Sequence, residues 1–210
     1  MNGMTYFKEN FPNINLLLDN LFGQKKNLAI DYLHVLIKHP GQWLPVLVLS
    51  GEQESGKTTF LDLVKRISNG EAVITDIYRL VSRFNEKWAG KSIVMVDDFS
   101  IYRDCFEIFH EIAAHRLIQR EKKGELPELV QNDTRLIISS NQHDDLINLH
   151  RYADLPERYF WYVTDGKHIS DIDHQFCGRV LSEADEFSKF LCDTYHLGNA
   201  VEIIEEGGAR

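Results

Sequence analysis

The apolar run Val46-Leu47-Val48-Leu49 passes almost directly into Gly51-Glu52-Gln53-Glu54-Ser55-Gly56-Lys57-Thr58. A strand that is apolar at every position, rather than at alternate ones, suits burial on both faces inside a parallel sheet. Pro45 sits at its start, where a missing amide is tolerated. The spacing G-x-x-x-x-G-K-T then lets backbone amides turn inward around a chain of phosphates. Lys57 reaches the outer phosphates, the Thr58 hydroxyl is available to Mg2+, and the N-terminus of the helix that follows favours anions. The segment Gly51, Glu52, Gln53, Glu54, Ser55, Gly56, Lys57, Thr58 and Thr59 is therefore the candidate ATP-binding loop. Glu52 and Glu54 are unexpected in an anion cradle and must point outward.

The rest of the chain repeats the alternation of strand and helix. Strand-like runs occur at Ala72–Thr75, Ile93–Val96, Leu136–Ile138 and Tyr159–Val163, with helical patterns at Thr58–Ile67, Ile77–Phe84 and Asp104–Leu117. This predicts an α/β core over residues 41–166, with a five-stranded, mostly parallel sheet flanked by helices. Ahead of it, Ile14, Leu17, Leu18 and Leu21, then Ile30, Leu33, Leu36 and Ile37, fall at helix spacing. Gly23 divides the two groups and Pro40-Gly41 ends them, so residues 1–40 read as a small helical lead-in. Beyond Asp165-Gly166, read as a turn, residues 167–210 form a last piece. There Ser182-Glu183-Ala184-Asp185 resembles a capping box opening a helix to about Tyr195, followed by an acidic tail.

Composition narrows the function classes. With 210 residues, 43% of them apolar, the chain is globular and can bury a substantial core. No apolar run has the length of a membrane span, and Met1–Lys8 lacks a basic-then-apolar leader. The expectation is a protein of the cytosol, or of a host cytosol, with no membrane partner. Cys105, Cys177 and Cys192 fit neither a disulfide framework nor a zinc module. His110-Glu111-Ile112-Ala113-Ala114-His115 resembles a zinc-protease helix with one residue too many, and a five-residue step is expected to put its histidines on different faces. A formal charge of −9 excludes coating by nucleic acid through bulk charge, so any such contact needs a local basic patch.

Four further sites carry chemistry. Ile93–Val96 delivers Asp97 and Asp98 at a strand end. One acid is needed to hold hydrated magnesium and a second to polarise water, and the roles are assigned in that order. Leu136-Ile137-Ile138-Ser139-Ser140-Asn141 ends a strand in an amide, which can orient water without adding charge. Arg158, just before the last strand, could stabilise transition-state charge from a neighbouring subunit, and Arg151 competes for that role. Residues 116–130 read as a hairpin tipped by Lys122-Lys123-Gly124, where Arg120, Lys122 and Lys123 could grip a phosphate backbone.

In this order, the motifs resemble the superfamily 3 helicases, compact AAA+ P-loop ATPases of small viruses, phages and plasmids. The likeness is strongest to the C-terminal helicase domains of phage- and plasmid-type primase–helicases. It extends through Tyr32-Leu33-x-x-Leu36-Ile37-x-x-Pro40, Phe84-Asn85-x-x-Trp88-Ala89-Gly90-Lys91 and Arg158-Tyr159-Phe160-Trp161, and covers about Asp31 to Val163. The resemblance implies an AAA+ core. Lys57, Thr58, Asp97, Asp98 and Asn141 would form a site for ATP and Mg2+, and Arg158 would act as a finger toward the next protomer. It also implies a ring, usually a hexamer, that moves on single-stranded DNA in replication, with a primase or replication-initiation partner, and it makes the lead-in a candidate collar. That family often carries glutamate where this chain has Asp98.

Two other functions compete. An AAA+ ATPase that remodels or loads a protein partner without translocating on DNA agrees with the acidic balance. A small-molecule P-loop kinase would need an arginine-rich lid, and the sequence has no such arginine cluster.

Overall fold

A computed structural model describes residues 3–100, 105–141, 149–156, 159–166 and 175–196. Helices α1 (Gly3–Asn10), α2 (Pro12–Phe22) and α3 (Lys26–Lys38) lead into strand β1 (Val46–Gly51) and helix α4 (Lys57–Ile67). Then come β2 (Ala72–Thr75), the short α5 (Ile77–Leu80), β3 (Ile93–Val96) and α6 (Cys105–Ala114). A hairpin of β4 (Leu117–Arg120) and β5 (Glu128–Gln131) precedes β6 (Arg135–Ser140), α7 (Leu149–Tyr152) and β7 (Phe160–Gly166). Helix α8 (Phe176–Lys189) continues as a π-helical turn, Phe190–Thr194.

The sheet has the order β2-β3-β6-β1-β7, with every pairing parallel. Alternate strand residues divide between two cores, as the two-residue side-chain period requires. Leu47, Leu49, Met95, Ile137 and Val163 face one layer, built from α1, α2, α3, α4 and α8. Val46, Val48, Val94, Val96 and Ile138 face the other, which contains Trp88, Phe99, Phe109 and Leu149. The lead-in helices and α8 thus share one apolar core with the sheet. Aromatic rings join them, with Phe11 lying 5.4 Å from Phe187 and 5.5 Å from Phe190 between centroids. Among the described residues, no helix is long and apolar enough to cross a membrane.

Several boundaries differ from those the sequence predicts. Helix α5 stops at Leu80, and Phe84 is exposed beside the turn that holds Asn85. Helix α6 ends at Ala114, so Leu117 belongs to the hairpin and not to the helix. Asp165-Gly166 is the end of β7 and not a turn. Ser182-Glu183 lies inside α8, because Phe176 and Val180 extend its buried stripe by almost two turns toward the N-terminus. Ser182 donates back to the Arg179 carbonyl, and Glu183 caps a different helix: its carboxylate accepts the Asn13 and Ile14 amides at the start of α2. Within the helical lead-in, no apolar period marks α1 as a helix of its own; Phe7 is its one core residue with a described side chain. Nor do His110 and His115 stand apart. The helix ends before His115, and the two rings meet edge to face at 5.6 Å. Among the described residues, no group of three metal-type ligands surrounds them.

Candidate functional site

The polar residues of β1, β3 and β6 gather at the C-terminal edge of the sheet, where α/β proteins bind ligands. After β1 the chain turns through Glu54 and Gly56, both left-handed, with φ of 59° and 94°. Left-handed residues in such a turn curl successive amides into an anion-binding concavity. Gly56 is also the N-cap of α4, and at that φ a side chain would be strained. Glu52 and Glu54 are exposed, as an anion cradle requires, while Ser55 and Lys57 are buried.

The Lys57 ammonium donates to the Gly51 carbonyl at 3.1 Å, the Glu52 carbonyl at 2.6 Å and Ser55 Oγ at 3.1 Å. Burial pushes its pKa below the ordinary lysine value, while the Asp97 and Asp98 charges act in the opposite direction. A desolvated cation held on neutral oxygens can exchange them for anionic ones, which is the chemistry of a phosphate binder. From the lead-in, Asn20 Nδ2 donates to the Ser55 carbonyl at 2.9 Å and braces the loop from behind.

The acids follow β3. Thr58 Oγ1 donates to Asp97 Oδ1 at 3.4 Å. A hydroxyl beside a carboxylate at the start of α4 is a donor set of the hard, oxygen type that Mg2+ takes. Asp98 has a φ of 50° and accepts from Asn141 Nδ2 at 3.0 Å. The Ser-Ser-Asn strand end meets this turn at further points. Ser139 Oγ donates to Asp97 Oδ1, the Ser139 carbonyl accepts the Phe99 amide, and Ser140 Oγ donates to the Phe99 carbonyl.

Lys57, Thr58, Asp97, Asp98 and Asn141 are therefore brought together. Arg158 lies outside the described residues, and Arg151 is exposed on α7. The hairpin forms as read, with the register Leu117↔Gln131 to Arg120↔Glu128 and Gly124 left-handed at its tip. Its cations are not equivalent. Arg120 pairs with Glu128 and Lys122 with Glu125, whereas Lys123 has no ion pair among the described residues.

Two asparagines that the motifs left without a role root the hairpin. Asn85 Nδ2 donates to the Gln119 carbonyl at 2.8 Å, and its Oδ1 accepts the Glu121 amide at 2.8 Å. Asn132, almost fully buried, gives Nδ2 to the Ile112 and His115 carbonyls and takes the Thr134 amide on Oδ1. Asn85 stands within the F-N-x-x-W-A-G-K segment, a usable signal; Asn20 and Asn132 stand in no such motif.

A family model described as "Family of unknown function (DUF5906)" matches residues 49–154, which is 106 of the 210 residues and includes the phosphate loop, both acids, Asn141 and the hairpin. No curated protein matches the chain. Among solved structures, the A form of the apo NrS-1 C-terminal region aligns with a TM-score of 0.71 at 18% identity, over 94% of this chain and 52% of that one. A second apo structure of that region, residues 305–718, gives 0.69 at 19% identity, with 94% and 52% covered. JCV helicase, crystallised with a small molecule, gives 0.58 at 12% identity, with 95% and 60% covered. The chain thus shares its fold with these proteins and spans about half the length of the NrS-1 chains it matches.

Proposed function

This chain belongs to DUF5906, a family of unknown function, and we propose that it is an ATP-hydrolysing motor domain of the superfamily 3 helicase type that acts as a ring on single-stranded DNA. The observation that carries this reading is the meeting of three strand ends. The Lys57 loop, the Asp97-Asp98 turn and Asn141 are linked by the Thr58–Asp97 and Asn141–Asp98 hydrogen bonds. The shared fold with JCV helicase supports it.

In this reading, the inward amides of residues 51–58 and the Lys57 ammonium bind and orient the phosphates of ATP. Thr58 and Asp97 would hold Mg2+, which when bound neutralises charge on the outer phosphates. Asp98 polarises the attacking water, and the Asn141 amide orients both that water and the Asp98 carboxylate. Arg158 or Arg151 of a neighbouring copy completes the site, so assembly, as a hexamer in this reading, and turnover are coupled. The hairpin lines the ring's channel and contacts DNA through Lys123, with Arg120 and Lys122 contributing once their carboxylate partners are displaced. A primase or replication-initiation protein would be the recruiting partner, and the cytoplasm the compartment.

One observation favours a second reading, an ATPase that remodels a protein partner: two of the three hairpin cations are already paired within the chain, and the net charge is −9. The same experiment separates the two. ATP hydrolysis is measured with and without single-stranded DNA, at two protein concentrations, for the parent protein and for the Lys122→Ala/Lys123→Ala variant. Stimulation by DNA that the double variant loses, with specific activity rising as protein is concentrated, is the expected outcome. Stimulation that survives the variant unaltered refutes the hairpin contact. Hydrolysis indifferent to both DNA and concentration favours the remodelling reading.

A further inference from the structure

We propose that Ser139 is a positioning residue for the metal-holding acid, so that the Ser-Ser-Asn strand end serves the magnesium side of the site as well as the water side. The proposal rests on the reading of the Lys57 loop as an ATP site and adds to it a residue with no role so far.

Three donors converge on one oxygen of Asp97. Ser139 Oγ donates to Oδ1 at 2.5 Å, the Asp98 amide at 3.0 Å and Thr58 Oγ1 at 3.4 Å. Among the described residues, no hydrogen bond reaches the other oxygen, Oδ2. A carboxylate held from three sides through Oδ1 cannot rotate freely, so Oδ2 keeps a fixed direction in which to receive a metal ion or its water. The Ser139 hydroxyl is itself oriented, because its oxygen accepts the Asp98 amide at 3.3 Å and its single proton is left for Asp97. The residue is 1% exposed on β6, so water does not compete for these bonds.

Ser140 provides the internal comparison. It is equally buried and adjacent on the same strand, and its hydroxyl donates to the Phe99 carbonyl instead of to Asp97. A serine that only secured the turn after β3 would behave like Ser140. A serine that aims the acid would differ from it in metal affinity, since partners of a ligating carboxylate tune the metal site through that ligand.

The test uses the full chain with a non-hydrolysable ATP analogue and Mn2+ as the probe, its binding followed by electron paramagnetic resonance. Thermal unfolding is measured in parallel. Ser139→Ala is expected to weaken Mn2+ binding roughly tenfold, with metal-free affinity for the analogue unchanged. Ser139→Thr is expected to return most of the loss, and Ser140→Ala to lower the melting temperature without moving Mn2+ affinity. Equal Mn2+ affinity in Ser139→Ala and the parent, or an equal loss in Ser140→Ala, overturns the proposal. If Lys57→Ala binds the analogue as tightly as the parent protein, the ATP-site reading itself fails, and this inference falls with it.

Discussion

Asp98 shows how backbone geometry selects a side chain. Its φ of 50° lies in the left-handed region, where aspartate and asparagine are enriched several-fold over other non-glycine residues. Where the superfamily 3 helicases that the motifs resemble often carry glutamate, this turn suits the shorter acid, and Asn141 meets it at 3.0 Å. Asp98→Asn tolerates the same backbone, so it isolates the chemistry. ATP binding should persist while hydrolysis falls roughly 100-fold or more, the usual contribution of a general base, as measured by equilibrium binding beside steady-state turnover. The meeting of Lys57, Asp97 and Asn141 at one sheet edge was legible because each stands at a marked place in a spaced motif. The bond from Ser139 to Asp97 was not, because a serine after an apolar run reads only as a strand end. A second residue was equally silent. His34 is buried and, facing the Leu191 carbonyl at 2.7 Å, must present Nδ1 as the donor. Burial holds its pKa below the ordinary value, and Lys38 and His39 push the same way, against the Leu191 carbonyl and Asp31. The unfolded chain therefore takes up this proton first. The stability from neutral His34 is complete above about pH 6.5 and is lost as pH falls through the depressed folded value. The melting temperature should drop more steeply between pH 7.5 and 5.5 in the parent protein than in His34→Asn, which keeps a donor near Nδ1 and cannot titrate.

At the scale of elements, the hairpin is a two-stranded ribbon on two polar roots. Ile118 and Val130 turn toward the body, and Asn85 and Asn132 satisfy the backbone where the ribbon emerges. Its free charge is concentrated at one residue. If the ribbon touches DNA, Lys123→Ala should weaken single-strand binding severalfold and lower the slope of log affinity against log salt by about 0.7 per copy. Lys122→Ala should change that slope less, because its cation is offset by Glu125 before DNA arrives. Binding titrations at several salt concentrations decide between them. The ribbon itself was legible from its glycine tip and flanking apolar residues. Helix limits were less so. Leu117 continues the apolar spacing of α6 but is half exposed in β4, because the Asn132 amide closes the helix end at the Ile112 and His115 carbonyls. Short-range pattern cannot reveal a cap supplied by a residue seventeen positions away.

At the scale of the molecule, the parallel sheet was the most legible feature, since each strand carries its own unbroken apolar run. The closure of the domain was not. Ser182-Glu183-Ala184-Asp185 resembles a capping box for its own helix, whereas Glu183 caps α2, accepting the Asn13 amide at 3.1 Å, the Ile14 amide at 3.0 Å and Asn13 Nδ2. An acid at a helix N-terminus also opposes the helix dipole favourably. Glu183→Ala should cost about 1–2 kcal/mol of stability, as other lost N-caps do, with Glu183→Gln recovering part of it in chemical denaturation. The clasp joins residues 170 positions apart. On the ribosome, α4, the helix that follows the phosphate loop, is therefore complete long before α8 arrives to pack against it. At a synthesis rate of about 5–20 residues per second, the α4 face that α8 covers waits roughly five to twenty-five seconds in the nascent chain, an interval in which chaperones and neighbouring nascent chains compete with α8 for it.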